Sequence, residues 1–209
     1  MERVTIQVGG FEVNCSVLSE NGKAWIIDPG QEGERIVKLL AERKLTPAAI
    51  LLTHAHFDHI GAVPALQEAF PGLPVYVGDA DRAVLSHPMN QLPPEYPAVK
   101  DVKDIRDAKD LASEQHLEVE VIATPGHTPG GVCYLFRSSL FALRSSLLFS
   151  GDTLFAGSVG RTDLPGGDMA TLMNSLQKLT ALPDDTAVIP GHGMFTTIGD
   201  EKRGNPFLQ

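Results

Sequence analysis

The stretch Ile50-Leu51-Leu52-Thr53-His54-Ala55-His56-Phe57-Asp58-His59 puts three of the chain's seven histidines and a carboxylate directly after a short apolar run. Ile50 to Leu52 reads as a buried strand, so the six residues from His54 to His59 leave one strand end together. Imidazole and carboxylate are the ligands that divalent transition metals take where thiolate is not offered. Groups at alternate positions beyond a strand end can converge on one ion, while the Asp58-His59 pair reaches toward a second. The bland alternative is a polar turn rich in histidine by accident.

Three distant segments argue against accident. They are His127 in Thr124-Pro125-Gly126-His127-Thr128-Pro129-Gly130, Asp152 in Phe149-Ser150-Gly151-Asp152-Thr153, and His192 in Ile189-Pro190-Gly191-His192-Gly193. Each follows a short apolar segment (119–122, 147–149 and 187–189) and is flanked by glycine. Glycine lets the backbone turn sharply and approach an ion closely. Four strand ends carrying ligand-type residues make a metal site assembled from loops on a rigid scaffold. Five of the seven histidines are thereby used; His87 and His116 read as surface residues without a role.

Length and composition fit one compact enzyme. A chain of 209 residues can bury a substantial core, and a single domain over residues 1–209 is expected. The net charge of −9 argues against sequence-independent nucleic-acid binding, which needs clustered lysine and arginine. An anionic substrate would therefore need local positive charge, from metal ions and a few basic side chains. Cys15 and Cys133 lie in apolar strand-like contexts and read as buried reduced thiols. Residues 1–8 alternate as a strand and not as a secretory signal. No apolar run approaches the roughly 20 residues that span a bilayer. A cytoplasmic protein is expected.

Residues 3–8, 11–18 and 23–28 read as strands joined at Gly9-Gly10 and at Asn21-Gly22, a strong hairpin signal. A helix follows over about 32–43, then strand 49–53, a helix over about 60–69 and a strand at 74–77. The proline-rich stretch 86–100 excludes a regular helix. It reads equally as a lid or substrate wall, with Met89, Leu92 and Tyr96 as apolar contacts, or as a surface insertion. Strands near 117–123, 131–136 and 146–150 come next, with an extended hairpin over 138–149. A helix over 168–180 precedes the strand ending at His192. Two halves of strands and helices predict an αββα sandwich, two packed mixed sheets with helices on the outer faces.

His54-x-His56-x-Asp58-His59, with His127, Asp152 and His192 in order, resembles the metallo-β-lactamase superfamily, from Asp28-Pro29-Gly30 to His192. Within it, residues 150–168, including Gly160-Arg161-Thr162-Asp163-Leu164-Pro165-Gly166-Gly167, resemble the glyoxalase II branch, as does the ending Asn205-Pro206-Phe207-Leu208. These are thioesterases that hydrolyse hydroxyacylglutathione. The resemblance implies the same αββα sandwich and two divalent metals, zinc first, with iron or manganese as alternatives. It implies His54, His56 and His127 on one ion, Asp58, His59 and His192 on the other, and Asp152 bridging. Asp58 and Asp152 are then the catalytic carboxylates, holding the ions that make a bridging hydroxide. Paired ions about 3.5–4 Å apart lower the pKa of bound water toward roughly 7. The ions also polarise the carbonyl under attack, and a thiolate leaves without a strong general acid.

The substrate implied is a small-molecule thioester, S-lactoylglutathione or a related hydroxyacylglutathione. Asp28 is implied to support the metal loop from behind by hydrogen bonding; a turn residue before Pro29 explains an aspartate there equally well. Arg161 is the candidate for contacting a substrate carboxylate, against an ion pair with Asp163 or Asp168, and Arg203 and Lys202 are weaker candidates. Only residues 193–209 follow His192, so the C-terminal helical domain of the larger glyoxalase II enzymes is not expected. A broader thioester range follows. The alternatives within the superfamily are a mononuclear-iron persulfide dioxygenase and a lactonase or other ester hydrolase. β-Lactam hydrolysis is disfavoured because those enzymes lack an aspartate at the Asp152 position. A binding module without catalysis would be expected to have lost ligands, and none of the seven is missing.

Overall fold

The Asn21-Gly22 turn closes a hairpin with both residues at positive φ, 50° and 80°, the left-handed pair that a tight two-residue turn needs. Around it β1 (Glu2–Val8), β2 (Val13–Glu20) and β3 (Lys23–Ile27) run antiparallel. The chain then crosses over through α1 (Gly33–Glu42), which buries Ile36 and Leu40, and returns as β4 (Thr46–Leu51) parallel to β3. Two short helices, α2 (Phe57–Ile60) and α3 (Val63–Ala69), lead to β5 (Val75–Val77), parallel to β4. A 3-10 turn at Asp79–Asp81 runs into α4 (Arg82–Leu85), and β6 (Val102–Asp104) adds a further parallel edge. The result is a six-stranded mixed sheet in the order β1 to β6.

This architecture is that of a computed structural model describing residues 2–85, 87, 98–108, 118–137 and 146–209. The described chain forms two compact units, residues 1–108 and 109–209. In the second, β7 (Glu118–Ala123), β8 (Val132–Arg137) and β9 (Leu147–Gly151) are successively antiparallel. A small hairpin of β10 (Leu154–Phe155) and β11 (Ser158–Val159) precedes α5 (Met169–Thr180). Then β12 (Ala187–Pro190) lies parallel to β9, β13 (Thr196–Thr197) pairs with β12, and α6 (Ile198–Gly204) follows. The five-stranded order is β13-β12-β9-β8-β7.

Each sheet has its own apolar cluster. In the first unit Cys15, Val17, Ile26, Ile50, Leu52 and Val75 pack with Ile36 and Leu40 of α1 and with Val63 and Leu66 of α3. In the second, Leu135, Leu148 and Val188 pack with Leu172, Leu176 and Leu179 of α5, spaced to make one helical stripe. Each fully buried leucine, valine or isoleucine contributes about 1.5–3 kcal/mol of transfer free energy, which holds the strand ends rigid.

Some expectations need correction. The helix expected over 60–69 is two helices, beginning at Phe57. Pro64 in the first turn favours a fresh helix start there, and it separates the ligand-bearing turn from α3. The turn and helix at 79–85, β6, the β10–β11 hairpin and α6 were not read from the sequence. Residues 86, 88–97, 109–117 and 138–145 lie outside the described residues, and with them most of the proposed lid, His116 and the tip of the 138–149 hairpin. His87 is exposed, and both cysteines are buried free thiols. No helix among the described residues is long and apolar enough to cross a membrane.

Candidate metal centre

Three parallel neighbours, β3, β4 and β5, end at one edge of the first sheet. Asp28 follows β3, the His54–His59 segment follows β4, and Asp81 follows β5. Asp28 takes positive φ, 48°, in the left-handed region that aspartate tolerates better than most residues. That turn sends its carboxylate beneath the histidine loop. Asp28 Oδ1 accepts from Thr53 N at 2.7 Å, and Oδ2 accepts from Thr53 Oγ1 at 2.7 Å. His59 Nδ1 lies 3.1 Å from the same Oδ2. On the other side, buried Asp81 accepts from Ala55 N at 2.9 Å. Two buried carboxylates thus grip the loop between its ligands. Gly30 lets the loop sit this close: a Cβ there would lie 1.9 Å from Asp58 O.

Two rings of the loop have an oxygen against Nδ1. A carboxylate cannot donate, so His59 Nδ1, facing Asp28, carries the hydrogen and Nε2 keeps a lone pair. The Thr53 hydroxyl spends its hydrogen on Asp28. Its oxygen, 3.1 Å from His54 Nδ1, is then an acceptor, and His54 too is protonated at Nδ1. Ring centroids of His54 and His56 lie 4.8 Å apart, and those of His54 and His59 4.1 Å apart. Asp58 Oδ2 stands 4.0 Å from His59 Nε2. His54 Nε2, His59 Nε2 and the Asp58 carboxylate, packed this tightly, are a cation-binding set.

The second unit repeats the arrangement. β7, β9 and β12 run in one direction, so His127, Asp152 and His192 leave strands at one edge. His127 Nδ1 donates to Arg161 O at 2.7 Å, which again fixes the hydrogen on Nδ1. Asp152 Oδ2 lies 3.6 Å from His127 Nε2 and 3.7 Å from His192 Nε2. Those separations are too long for hydrogen bonds. They approach the roughly 3.3–3.6 Å between two donors that each stand 2.0–2.2 Å from a tetrahedral ion. The donor chemistry and spacing fit a divalent metal. Gly160 is needed for this closeness, since a Cβ there would lie 1.8 Å from Asp152 O and 3.3 Å from His127 Cβ.

Below the ligands, Thr153 Oγ1 donates to Thr124 Oγ1 at 3.2 Å, Thr124 Oγ1 stands 3.3 Å from Cys133 Sγ, and Cys133 donates to Ser150 O at 3.6 Å. That chain ties three strands together behind Asp152. From α5, Ser175 Oγ and Lys178 Nζ donate to the carbonyls of Pro125 and Ala123, each at 2.7 Å, steadying the approach to His127.

The seven ligand candidates therefore fall into two sets, His54, His56, Asp58 and His59 in the first unit and His127, Asp152 and His192 in the second. Asp28 makes the hydrogen bonds expected of a support, in addition to forming the turn. Of the two readings of Arg161, a substrate-carboxylate contact or an ion pair with Asp163 or Asp168, the pair with Asp163 is present. Its guanidinium makes a two-pronged pair with Asp163, both bonds 2.7 Å, and holds the Asp163 carboxyl down at a pKa of about 2. What Arg161 gives the ligand set is its backbone carbonyl. Asp168 instead caps α5 by accepting from Thr171 N at 2.7 Å. Arg203 pairs with Asp200 and Lys202 with Asp184. Thr53, Asp81 and Glu201 were missed. Asp81 stands in the 3-10 turn after β5, the strand next to the ligand strand, a placement that only the strand order reveals.

Residues 8–192 match the metallo-β-lactamase superfamily. Among curated proteins, hydroxyacylglutathione hydrolase GloC of Haemophilus influenzae is 37% identical, covering 97% of this chain and 96% of its own length. Among solved structures, BLEG-1 B3 metallo-β-lactamase superposes with a TM-score of 0.84 at 39% identity, covering 99% of both chains. TTHA1623 in a di-iron-bound form gives 0.77 at 38% identity, covering 98% of this chain and all of that one. The two mixed sheets with their helices are the fold of these proteins. With the match over residues 8–192 and with relatives similar along nearly their whole length, the chain belongs to the metallo-β-lactamase superfamily.

Proposed function

We propose that the two ligand sets hold one dinuclear centre and that the protein is a thioester hydrolase of the glyoxalase II kind, acting on S-lactoylglutathione or a related hydroxyacylglutathione. His54, His56 and His127 would hold one ion, Asp58, His59 and His192 the other, with Asp152 between them. The observation that carries this reading is an oxygen set against the Nδ1 side of three rings. Asp28, Thr53 and the Arg161 carbonyl occupy the Nδ1 side of His59, His54 and His127, leaving Nε2 as the donor in each. Similarity to GloC supports the thioester.

Two divalent ions bound there would supply an activated water near neutral pH and polarise the acyl carbonyl. The chain's own residues orient. Asp28 and Asp81 hold the 53–59 loop, and Gly30 and Gly160 admit close approach behind Asp58 and Asp152. Hydrolysis adds water across the acyl–sulfur bond and releases a thiol that needs no dedicated acid. Zinc is the first choice of metal, and the di-iron form of a similar structure supports iron as its rival. A second reading, β-lactam hydrolysis, is favoured by likeness to BLEG-1.

The test is a side-by-side assay of S-lactoylglutathione, a β-lactam, a lactone and glutathione persulfide on metal-quantified protein. Fastest turnover of the thioester, lost on exhaustive metal removal, is expected. Full thioesterase activity without metal would remove the proposal, and turnover of the β-lactam alone would replace it with the second reading.

A further inference from the structure

The ending Asn205-Pro206-Phe207-Leu208 resembles the glyoxalase II branch, and through Glu201 it is tied to the second ligand set. Glu201, on α6, is 4% exposed. Its Oε1 accepts from Thr196 Oγ1 at 2.7 Å, and its Oε2 accepts from Gly157 N at 2.9 Å and from Asn205 Nδ2 at 2.7 Å. Fully buried Asn205 also donates to Ser158 O at 3.0 Å and accepts from Phe207 N at 3.0 Å. The pair therefore grips the turn of the β10–β11 hairpin, residues 155–158, and fastens it to the strand that follows His192.

That hairpin is the short span between two parts of the ligand set. It starts directly after Asp152-Thr153 and ends at Gly160-Arg161, whose carbonyl holds His127 Nδ1. Phe155, within it, lies against His192, ring centroids 6.3 Å apart. All three ligands of the second unit thus abut one small hairpin, and Glu201 with Asn205 fixes where that hairpin sits. We propose that Glu201 is a positioning residue for metal binding: through Asn205 and the 155–158 turn it sets the mutual placement of His127, Asp152 and His192. The inference rests on the dinuclear reading above. All three donors on the Glu201 carboxylate are neutral. A glutamine can serve them, accepting from Gly157 and Asn205 while donating to the Thr196 hydroxyl. An alanine cannot.

The test is competition for zinc against a chelator, run on wild-type protein, Glu201→Gln, Glu201→Ala and Thr196→Val, at a temperature where near-ultraviolet circular dichroism shows each folded. Metal affinity should fall about 10–100-fold in Glu201→Ala and stay within about threefold in Glu201→Gln. Thr196→Val, which removes one of the three bonds, should lose about three- to tenfold, and it decides the matter if Glu201→Ala does not fold. A folded Glu201→Ala, or failing that Thr196→Val, with wild-type affinity overturns the inference even if its melting temperature drops, since that pattern is a structural role alone. Wild-type protein that binds no zinc retires the dinuclear reading and this inference with it. Wild-type binding with an unaffected variant retires only the inference.

Discussion

Replacing Asp28 by asparagine changes one atom, and the hydrogen-bond network dictates which. Thr53 N can only donate, so the oxygen of the introduced amide must take the Oδ1 place, 2.7 Å away. The amide nitrogen then occupies the Oδ2 place, facing the Thr53 hydroxyl and His59 Nδ1. Facing a donor, His59 shifts its hydrogen to Nε2. The Thr53 hydroxyl turns to accept from the amide and donates to His54 Nδ1, which shifts that ring's hydrogen as well. Two lone pairs offered to metal are withdrawn without moving the backbone, since asparagine also tolerates the φ of 48°. Losing such supporting partners costs metal affinity about 10–100-fold, or about 1.4–2.7 kcal/mol. The assay pairs chelator competition with long-range nitrogen–proton correlation spectra of metal-free protein, which report the tautomer of each ring. Asp28→Asn with both rings still protonated at Nδ1 and metal affinity unchanged would refute the reasoning. Asp28→Ala should behave differently. It strands the Thr53 amide and hydroxyl at roughly 1–3 kcal/mol each, so it should lower the melting temperature outright.

Gly160→Ala forces a methyl group to within 1.8 Å of Asp152 O; overpacking of about 1–3 kcal/mol and loss of bound metal are expected, and a fully loaded variant of wild-type stability would count against this placement of Asp152. Arg161→Ala should leave metal content and melting temperature unchanged, because the backbone carbonyl that holds His127 survives. It should raise KM for S-lactoylglutathione about tenfold with kcat retained, and an unaltered KM removes Arg161 from the substrate contacts. Asp81→Ala takes away the acceptor of Ala55 N, at about 1–3 kcal/mol. Hydrogen exchange at the Ala55 amide should accelerate, and wild-type protection there would show that another group holds the loop.

Every ligand candidate was legible because each sits just past an apolar strand and within two residues of a glycine or another ligand candidate. Those local signals survive folding, as the Asn21-Gly22 turn and the 187–190 strand do. The supports were less visible. Asp81 lies in Gly78-Asp79-Ala80-Asp81, which reads as an ordinary turn until β5 is known to neighbour β4. Glu201 carries no signal of its own, since its partners Gly157, Thr196 and Asn205 are remote or unremarkable in sequence. The contact from Arg161 to His127 was not legible, because it is made by a backbone carbonyl, which every residue type carries. Short elements such as β6, β13 and the β10–β11 hairpin carry too few residues for a periodic pattern, and tertiary pairing alone defines them.

The most direct measurement is a crystal structure of zinc-loaded protein with anomalous scattering recorded at the zinc edge. Two peaks are expected, one bound by His54, His56 and His127, the other by Asp58, His59 and His192, with Asp152 touching both. A single ion coordinated by residues 54–59 alone, or ions bound away from these seven side chains, would contradict this assignment.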